Sequence, residues 1–305
     1  MAQEIPDWNI LFNDDKFIKA YRLGERATVQ FAQLLIGQSG IVAYSKSHQD
    51  RPLVVLDNAC GTGVVSSILQ RELDEHVRAK WQLTCGDLSE GMLEYTRRRV
   101  ESEKWLNVEV KTVDAQDTKL PSEHFSHVFT AFAFMALPKG LDALNESTRI
   151  LQPGGTIAFT TWIEPSWLRD AGKAIATISN DLPWPTAEEF LGMIGQGQWN
   201  SVTWIESQLR DRDYRDIKVN VVTKYNTLSV AEFVEMTMFM MPLVMKCCWS
   251  EALQEENRDK VKPALEKYLA GAYGEKGEVP GEWIAILSTA QKPAECQVLD
   301  DMATC

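Results

Sequence analysis

Between residues 53 and 162, short apolar runs alternate with longer stretches whose apolar positions recur at helical spacing. The runs "LVVLD", "WQLTCGD", "VEVKTVDA", "HFSHVFTAFAF" and "TIAFTTW" suit strands covered on both faces. Between them, "VVSSILQREL", "SEGMLEYTRRRVESE" and "KGLDALNESTRIL" read as helices, with Ser89 placed to N-cap the second and "QPGG" as a turn after the third. Strand–helix alternation of this kind predicts a mostly parallel sheet with helices on both faces. Ligands of such sheets bind beyond the carboxyl ends of the strands.

The flanks read differently. Residues 13–44 read as helices, with Phe17, Tyr21, Ala27 or Thr28 and Phe31 near one face. After Trp162 come a helical stretch, a Pro/Trp/Gly-rich excursion, a helix with a strand, two or three helices over 229–272, and a last strand, "GEWIAILSTAQKP". Together these predict one domain over residues 1–292. The N-terminal helices and insertions at about 164–200 and 229–272 form a helical cap over the sheet, and residues 293–305 form a flexible tail.

Composition narrows the function classes. A net charge of −12 argues against a nucleic-acid surface or an anionic membrane as partner, and "RRR" at 97–99 reads as a solvated helix face. The densest apolar segment, "EFVEMTMFMMPLVMKCCW", carries acids, a lysine and Pro242, so it is no membrane span. The N-terminus has no signal-peptide pattern, and the six cysteines fit no metal spacing. A cytoplasmic chain with reduced thiols and no metal is the expectation.

Chemistry concentrates at the loop "DNACGTG", residues 57–63. Glycines at 61 and 63 let a ligand approach the backbone, but the third glycine of a pyrophosphate loop is absent. Asp57 would repel a pyrophosphate and suits a ligand carrying positive charge. Asp87 ends the second strand, where a carboxylate can accept from both hydroxyls of a ribose. Asp114, after the third strand, can accept from an exocyclic amine. Three acids at three successive strand ends are hard to explain as helix caps.

The motifs "VLDNACGTG", "GDLSEGMLEYTRRR", "VDAQDTKLP" and "RILQPGG" resemble those of class I S-adenosylmethionine-dependent methyltransferases, over roughly residues 54–162. The resemblance implies a Rossmann-like seven-stranded sheet of order 3-2-1-4-5-7-6, with the seventh strand antiparallel. It implies that Ala59, Gly61 and Gly63 shape the loop around the methionyl part, Ala59 standing where glycine is common. It gives Asp87 the ribose, Leu88 and Met92 the flanks of the adenine, Asp114 and the Ala115 backbone N–H its edge, and Ala131 the methionyl side. Tyr21, on an N-terminal helix, would close over the cofactor. With the "LPWPTAEEF" segment, the chain also resembles fungal enzymes that bis-S-methylate reduced gliotoxin-type dithiols. That implies a thiol of a small secondary metabolite as acceptor and S-adenosyl-L-homocysteine as product.

No histidine falls in the expected cap, which mildly favours a thiol, whose pKa of about 8.5 leaves some thiolate near neutrality. Proximity and orientation then suffice, and no general base stands out. Phe134, Trp162, Trp167 and Phe239 are the candidate acceptor-lining residues. Transfer to oxygen or nitrogen, a cofactor-dependent rearrangement and a methyltransferase-like regulator stay open on these residues alone. The oligomeric state is unspecified.

Overall fold

The structure, a computed structural model, describes residues 15–48 and 52–294, with side chains from residue 24 onward. Helices α1 (Asp15–Ser39) and α2 (Ile41–Ser47) precede β1 (Val54–Asn58), α3 (Val64–Glu72), α4 (Glu75–Arg78), β2 (Gln82–Asp87), α5 (Glu90–Glu103) and β3 (Val108–Thr112). Then come β4 (Phe125–Ala131), a 3-10 turn (Phe134–Ala136), α6 (Gly140–Ile150) and β5 (Leu151–Glu164). The C-terminal part runs α7 (Trp167–Ala176), α8 (Ala187–Ile194), α9 (Val202–Arg210), β6 (Arg215–Ser229), α10 (Val230–Cys248), α11 (Glu251–Tyr273) and β7 (Glu278–Gln291).

The seven strands form one sheet of order β3-β2-β1-β4-β5-β7-β6. Strands β1 to β5 pair in parallel, and β7 runs antiparallel to both its neighbours. Central strands are covered on both sides, so Val55, Leu56, Val128, Phe129, Ile157 and Phe159 are all fully buried. Side chains three apart on a strand point to opposite faces. Accordingly Trp162 meets Phe31 of α1 on one face, while Phe159 meets Phe134 and Trp199 on the other.

Local chemistry explains most boundaries. Ser89 accepts from the Met92 N–H and caps α5. Reciprocal capping boxes, Thr186 with Glu189 and Ser229 with Glu232, open α8 and α10. Two boundaries differ from the sequence pattern. The turn expected at "QPGG" lies inside β5, which starts at Leu151, shifts register around Gly154 (φ 76°) and regains β4 at Thr156. Pro242 does not end α10, which continues to Cys248. An interior proline costs about 3 kcal/mol, and burial of Met241, Leu243, Val244 and Met245 around it offsets that cost.

The N-terminal helix α1 crosses β5, β6 and β7 and packs against α3, α5 and α10. Helix α10 lies against α11 as well, so chain segments far apart in sequence meet over one face of the sheet. Among the described residues no helix is long and apolar enough to cross a membrane.

One buried group titrates far from its ordinary value. His127 of β4 is 1 % exposed, edge-on to Tyr44, with its Nε2 unpartnered. Burial pushes its pKa down to about 3. The unfolded chain therefore takes up a proton below about pH 6.5 that the folded chain refuses, so this residue removes stability as pH falls through that window. His127→Leu should cancel a loss of about 2 kcal/mol between pH 7 and pH 5. Urea midpoints of both chains at the two pH values measure it, and parallel losses would refute the assignment.

Candidate cofactor and acceptor site

The loop after β1 is built from left-handed backbone. Ala59, Gly61 and Gly63 have φ of 53°, 54° and 76°, and Gly63 opens α3. Ala59 therefore carries a left-handed strain of about 1–2 kcal/mol that glycine would not. At Gly63 a Cβ would also stand 3.0 Å from Cη2 of Trp105 and 3.3 Å from Thr96.

Helix α5 braces this loop from behind. Thr96 Oγ1 donates to the Gly61 carbonyl at 2.9 Å, and Arg99 donates to the Thr62 carbonyl at 3.1 Å. Arg99 is also anchored by Glu103 at 2.6 Å and lies over the Trp105 ring. Its side chain is only 17 % exposed, so the solvated-face reading of "RRR" fails at its third member. Arg97 and Arg98 do stay at the surface, paired with Glu90 and Glu94. A helical period puts Arg99 on a different side from its neighbours, which the run itself conceals.

The three acids hold different posts. Asp57 is 1 % exposed, and its Oδ2 accepts from the Ser66 N–H at 3.1 Å and the Ser66 hydroxyl at 2.6 Å. Burial pushes its carboxyl up to about 7 despite those hydrogen bonds, and nearby Asp87 adds to the rise. Asp87 accepts from the Gly61 N–H at 2.8 Å and the Ser89 N–H at 2.9 Å, one on each oxygen. Burial raises its pKa too. Asp114 makes a local turn, accepting from the Gln116 backbone at 2.9 Å. Leu88 is 42 % exposed, an unusual post for leucine at the rim of a site, while Met92 and Ala115 are buried beneath.

A cavity at the carboxyl ends of β1 and β4 is lined by Asp57, Ala59, Cys60, Thr62, Ala131 and Phe132, with Thr28 and Ala32 of α1 across from them. Phe132, Thr28 and Ala32 are not marked by any sequence motif. Phe132 carries φ 56°, which the sequence does not signal because glycine or asparagine would be the usual occupant. Its ring stacks on Trp162 at 4.0 Å, and Trp162 meets Trp283 at 5.3 Å, so an aromatic wall leads away from the cavity.

The other expected acceptor residues fare unevenly. Phe134 is fully buried between Phe159 and Trp199, on the sheet face opposite Trp162, and is a core residue rather than a lining one. Trp167 is 4 % exposed and packs on Trp184 and Phe190 inside the helical layer, so it too is core. Phe239 is half-buried on α10. Tyr21 belongs to α1, but its side chain lies outside the described residues.

A doubly wound sheet with an antiparallel β7, a glycine-bearing loop after β1 and acids at the ends of β1 and β2 defines a Rossmann-like methyltransferase domain. Comparison with known proteins agrees: residues 55–155 match the family described as a methyltransferase domain. The chain is 40% identical over 283 residues to Methyltransferase tpcH of Aspergillus fumigatus, covering 93% of this chain and 99% of that protein. It is 38% identical over 283 residues to acetylaranotin bis-thiomethyltransferase of Aspergillus terreus, covering 93% and 97%. A solved Haemonchus contortus phosphoethanolamine N-methyltransferase 2 shares the fold at a TM-score of 0.51 and 15% identity, over 95% of this chain and 61% of that one. The chain belongs to the S-adenosylmethionine-dependent methyltransferases, within the family of these fungal enzymes.

The loop geometry makes a ligand-free prediction. Gly63→Ala combines a left-handed residue with contacts on Trp105 and Thr96. It should cost about 1–3 kcal/mol of folding stability. Ala59→Gly should cost little or stabilise, because it relieves strain at the same loop. Thermal midpoints of the two variants should therefore move apart, and equal shifts would contradict the loop description.

Proposed function

We propose that this enzyme transfers methyl groups from S-adenosylmethionine to the thiols of a small fungal secondary metabolite of the dithiol diketopiperazine type. The carrying observation is the match to the acetylaranotin bis-thiomethyltransferase along almost the full length of both chains. The cap as well as the cofactor domain is included, and the cap selects the acceptor.

The residues present fit the cofactor. Asp87 uses one lone pair on each oxygen for the backbone and keeps acceptor capacity for the two ribose hydroxyls. Leu88 offers its exposed side chain to the adenine, Met92 supports that side, and Asp114 with the Ala115 N–H serves the adenine edge. Ala59, Gly61, Gly63 and Ala131 leave room for the methionyl part, and Asp57 lines the same cavity as an acid facing positive charge. Bound there, S-adenosylmethionine supplies a methyl carbon activated by its sulfonium.

This chain's own contribution is binding, alignment and exclusion of water. Three of its histidines, His48, His76 and His124, are exposed, and His127 is core. A thiol needs no imidazole: near pH 7 a group of pKa about 8.5 is already about 3% thiolate. The stacked pair of Phe132 and Trp162, both half-buried, suits a flat, apolar acceptor ring, with buried Trp283 backing Trp162. Cys60, Cys85, Cys247 and Cys248 are not joined in disulfides, which suits a reducing, cytoplasmic setting. The net charge of −12 gives neither nucleic acid nor an anionic membrane a reason to bind.

The deciding experiment incubates the enzyme with labelled cofactor and a panel of dithiol, phenol and amine metabolites, read by mass spectrometry. Methylation of both sulfurs of a dithiol is the expected result, and products methylated only on oxygen or nitrogen would sink the reading. A pH dependence follows from Asp57, whose carboxyl is raised to about 7 in the free protein. Its charged fraction grows as pH rises, so affinity for the cationic cofactor should increase between pH 6 and pH 8. Calorimetry should show that slope flattened in Asp57→Asn, and an unchanged slope would remove Asp57 from cofactor binding.

A further inference from the structure

Phe132 occupies a backbone conformation that a bulky aromatic residue rarely adopts, with φ of 56° directly after the last residue of β4. A turn that needed only to reverse the chain would be met by glycine or asparagine, and a core phenylalanine could sit in ordinary strand geometry. Backbone strain of this sort persists where the surroundings over-determine it, and it concentrates at ligand sites.

The surroundings here do over-determine it. The Phe132 N–H is forked between the Thr160 carbonyl at 2.9 Å and the Thr160 hydroxyl at 3.1 Å. The ring is stacked on Trp162 at 4.0 Å with only 19° between planes, and Phe31 of α1 meets it edge-on at 5.8 Å. One ring face is thus committed to Trp162. The residue is half-buried and is one of those lining the cavity that Asp57, Ala59 and Ala131 share.

We propose that Phe132 recognises the sulfonium of the cofactor through the face of its ring, and so distinguishes the methyl donor from the demethylated product. This rests on the S-adenosylmethionine reading above. A ring face carries negative quadrupole density and attracts a cation held against it. Asp57 sits in the same cavity, so the wall and the acid act on charge of the same sign. When the methyl group leaves, the electron pair of the broken carbon–sulfur bond stays on sulfur, which becomes a neutral thioether. The ring then loses its cation while every contact to ribose and adenine remains. The strained placement therefore favours the donor over the product, and it leaves the second ring face to anchor Trp162 on the acceptor side.

The test is affinity rather than turnover. Dissociation constants for S-adenosylmethionine and S-adenosylhomocysteine are measured by calorimetry on the unmodified chain, on Phe132→Leu, and on chains carrying mono-, di- and trifluorinated phenylalanine at position 132. Phe132→Leu should weaken the sulfonium ligand about 5- to 30-fold and leave the thioether within about twofold. Fluorination withdraws ring-face density at nearly constant shape. The sulfonium affinity should therefore fall stepwise along that series while the thioether affinity stays level. Equal losses for both ligands, or a flat fluorine series, would overturn the proposal. The fluorinated chains decide the matter even if the leucine variant fails to fold. Failure of the unmodified chain to bind either ligand would instead overturn the cofactor reading, and the proposal with it.

Discussion

The hydrogen bonds that Asp87 accepts from Gly61 and Ser89 are the constraint on which the site depends. One carboxylate, at the last position of β2, holds the loop that follows β1 and the N-terminus of α5 together. Hydrogen bonds to a charged group contribute about 1.5–3 kcal/mol each, and here burial screens them little from solvent. Once α5 is fixed at its start, its next turns send Thr96 and Arg99 back to the carbonyls of Gly61 and Thr62. The loop is thus held at its N–H groups by the sheet edge and at its carbonyls by the helix. Left-handed residues at 59, 61 and 63 are what let the five residues between β1 and α3 satisfy both sets of partners at once.

Concentrating acids in a buried site has an energetic side. The raised carboxyls of Asp57 and Asp87 mean that the folded chain holds protons the unfolded chain would release. For Asp57, ordinary when unfolded and about 7 when folded, stability is lost as pH rises through that interval. His127 acts in the opposite direction over an overlapping window, losing stability as pH falls. The two partly cancel between about pH 4 and 6.5, so a flat stability profile there would hide two strongly perturbed groups. Of the two groups only Asp57 lines the cavity, where a cation would favour its charged carboxylate.

The sheet was legible because its signals are local and repeated: bounded apolar runs, a capping serine, glycines after the first strand and acids at strand ends. The strand order came from the family resemblance, not from periodicity. The acceptor side was less legible for a geometric reason. Phe132 and Phe134 stand two apart in "AFAF", and an uninterrupted strand would face them the same way. The chain leaves strand geometry at Phe132, whose left-handed φ keeps its ring with Trp162, while Phe134 turns under the opposite face against Trp199. A regular backbone would put Phe134 beside Phe132, and the break at Phe132 is what separates them. For Trp167 the reason is different: aromatic richness marks a helical layer but does not separate its core from its lining. Arg99 shows the same limit for charge, since a run of three arginines says nothing about which one faces inward.

Helix α1 connects the two halves of the site. Thr28 and Ala32 line the cavity at the ends of β1 and β4, and Phe31, on the same stretch of helix, meets both Phe132 and Trp162. Positions three and four apart share a helix face, so one face of α1 borders the cavity and the aromatic cluster alike. Its ion pair with α10, Arg26 to Glu232 at 2.8 Å, joins two partly exposed side chains and contributes little. The firmer hold is apolar, through Ala27, Phe31, Ala32 and Leu35, all essentially buried. A displacement of α1 must therefore disturb the cavity and the aromatic cluster together. The cavity and the aromatic cluster are two ends of one packed interface, with the strained Phe132 at the join.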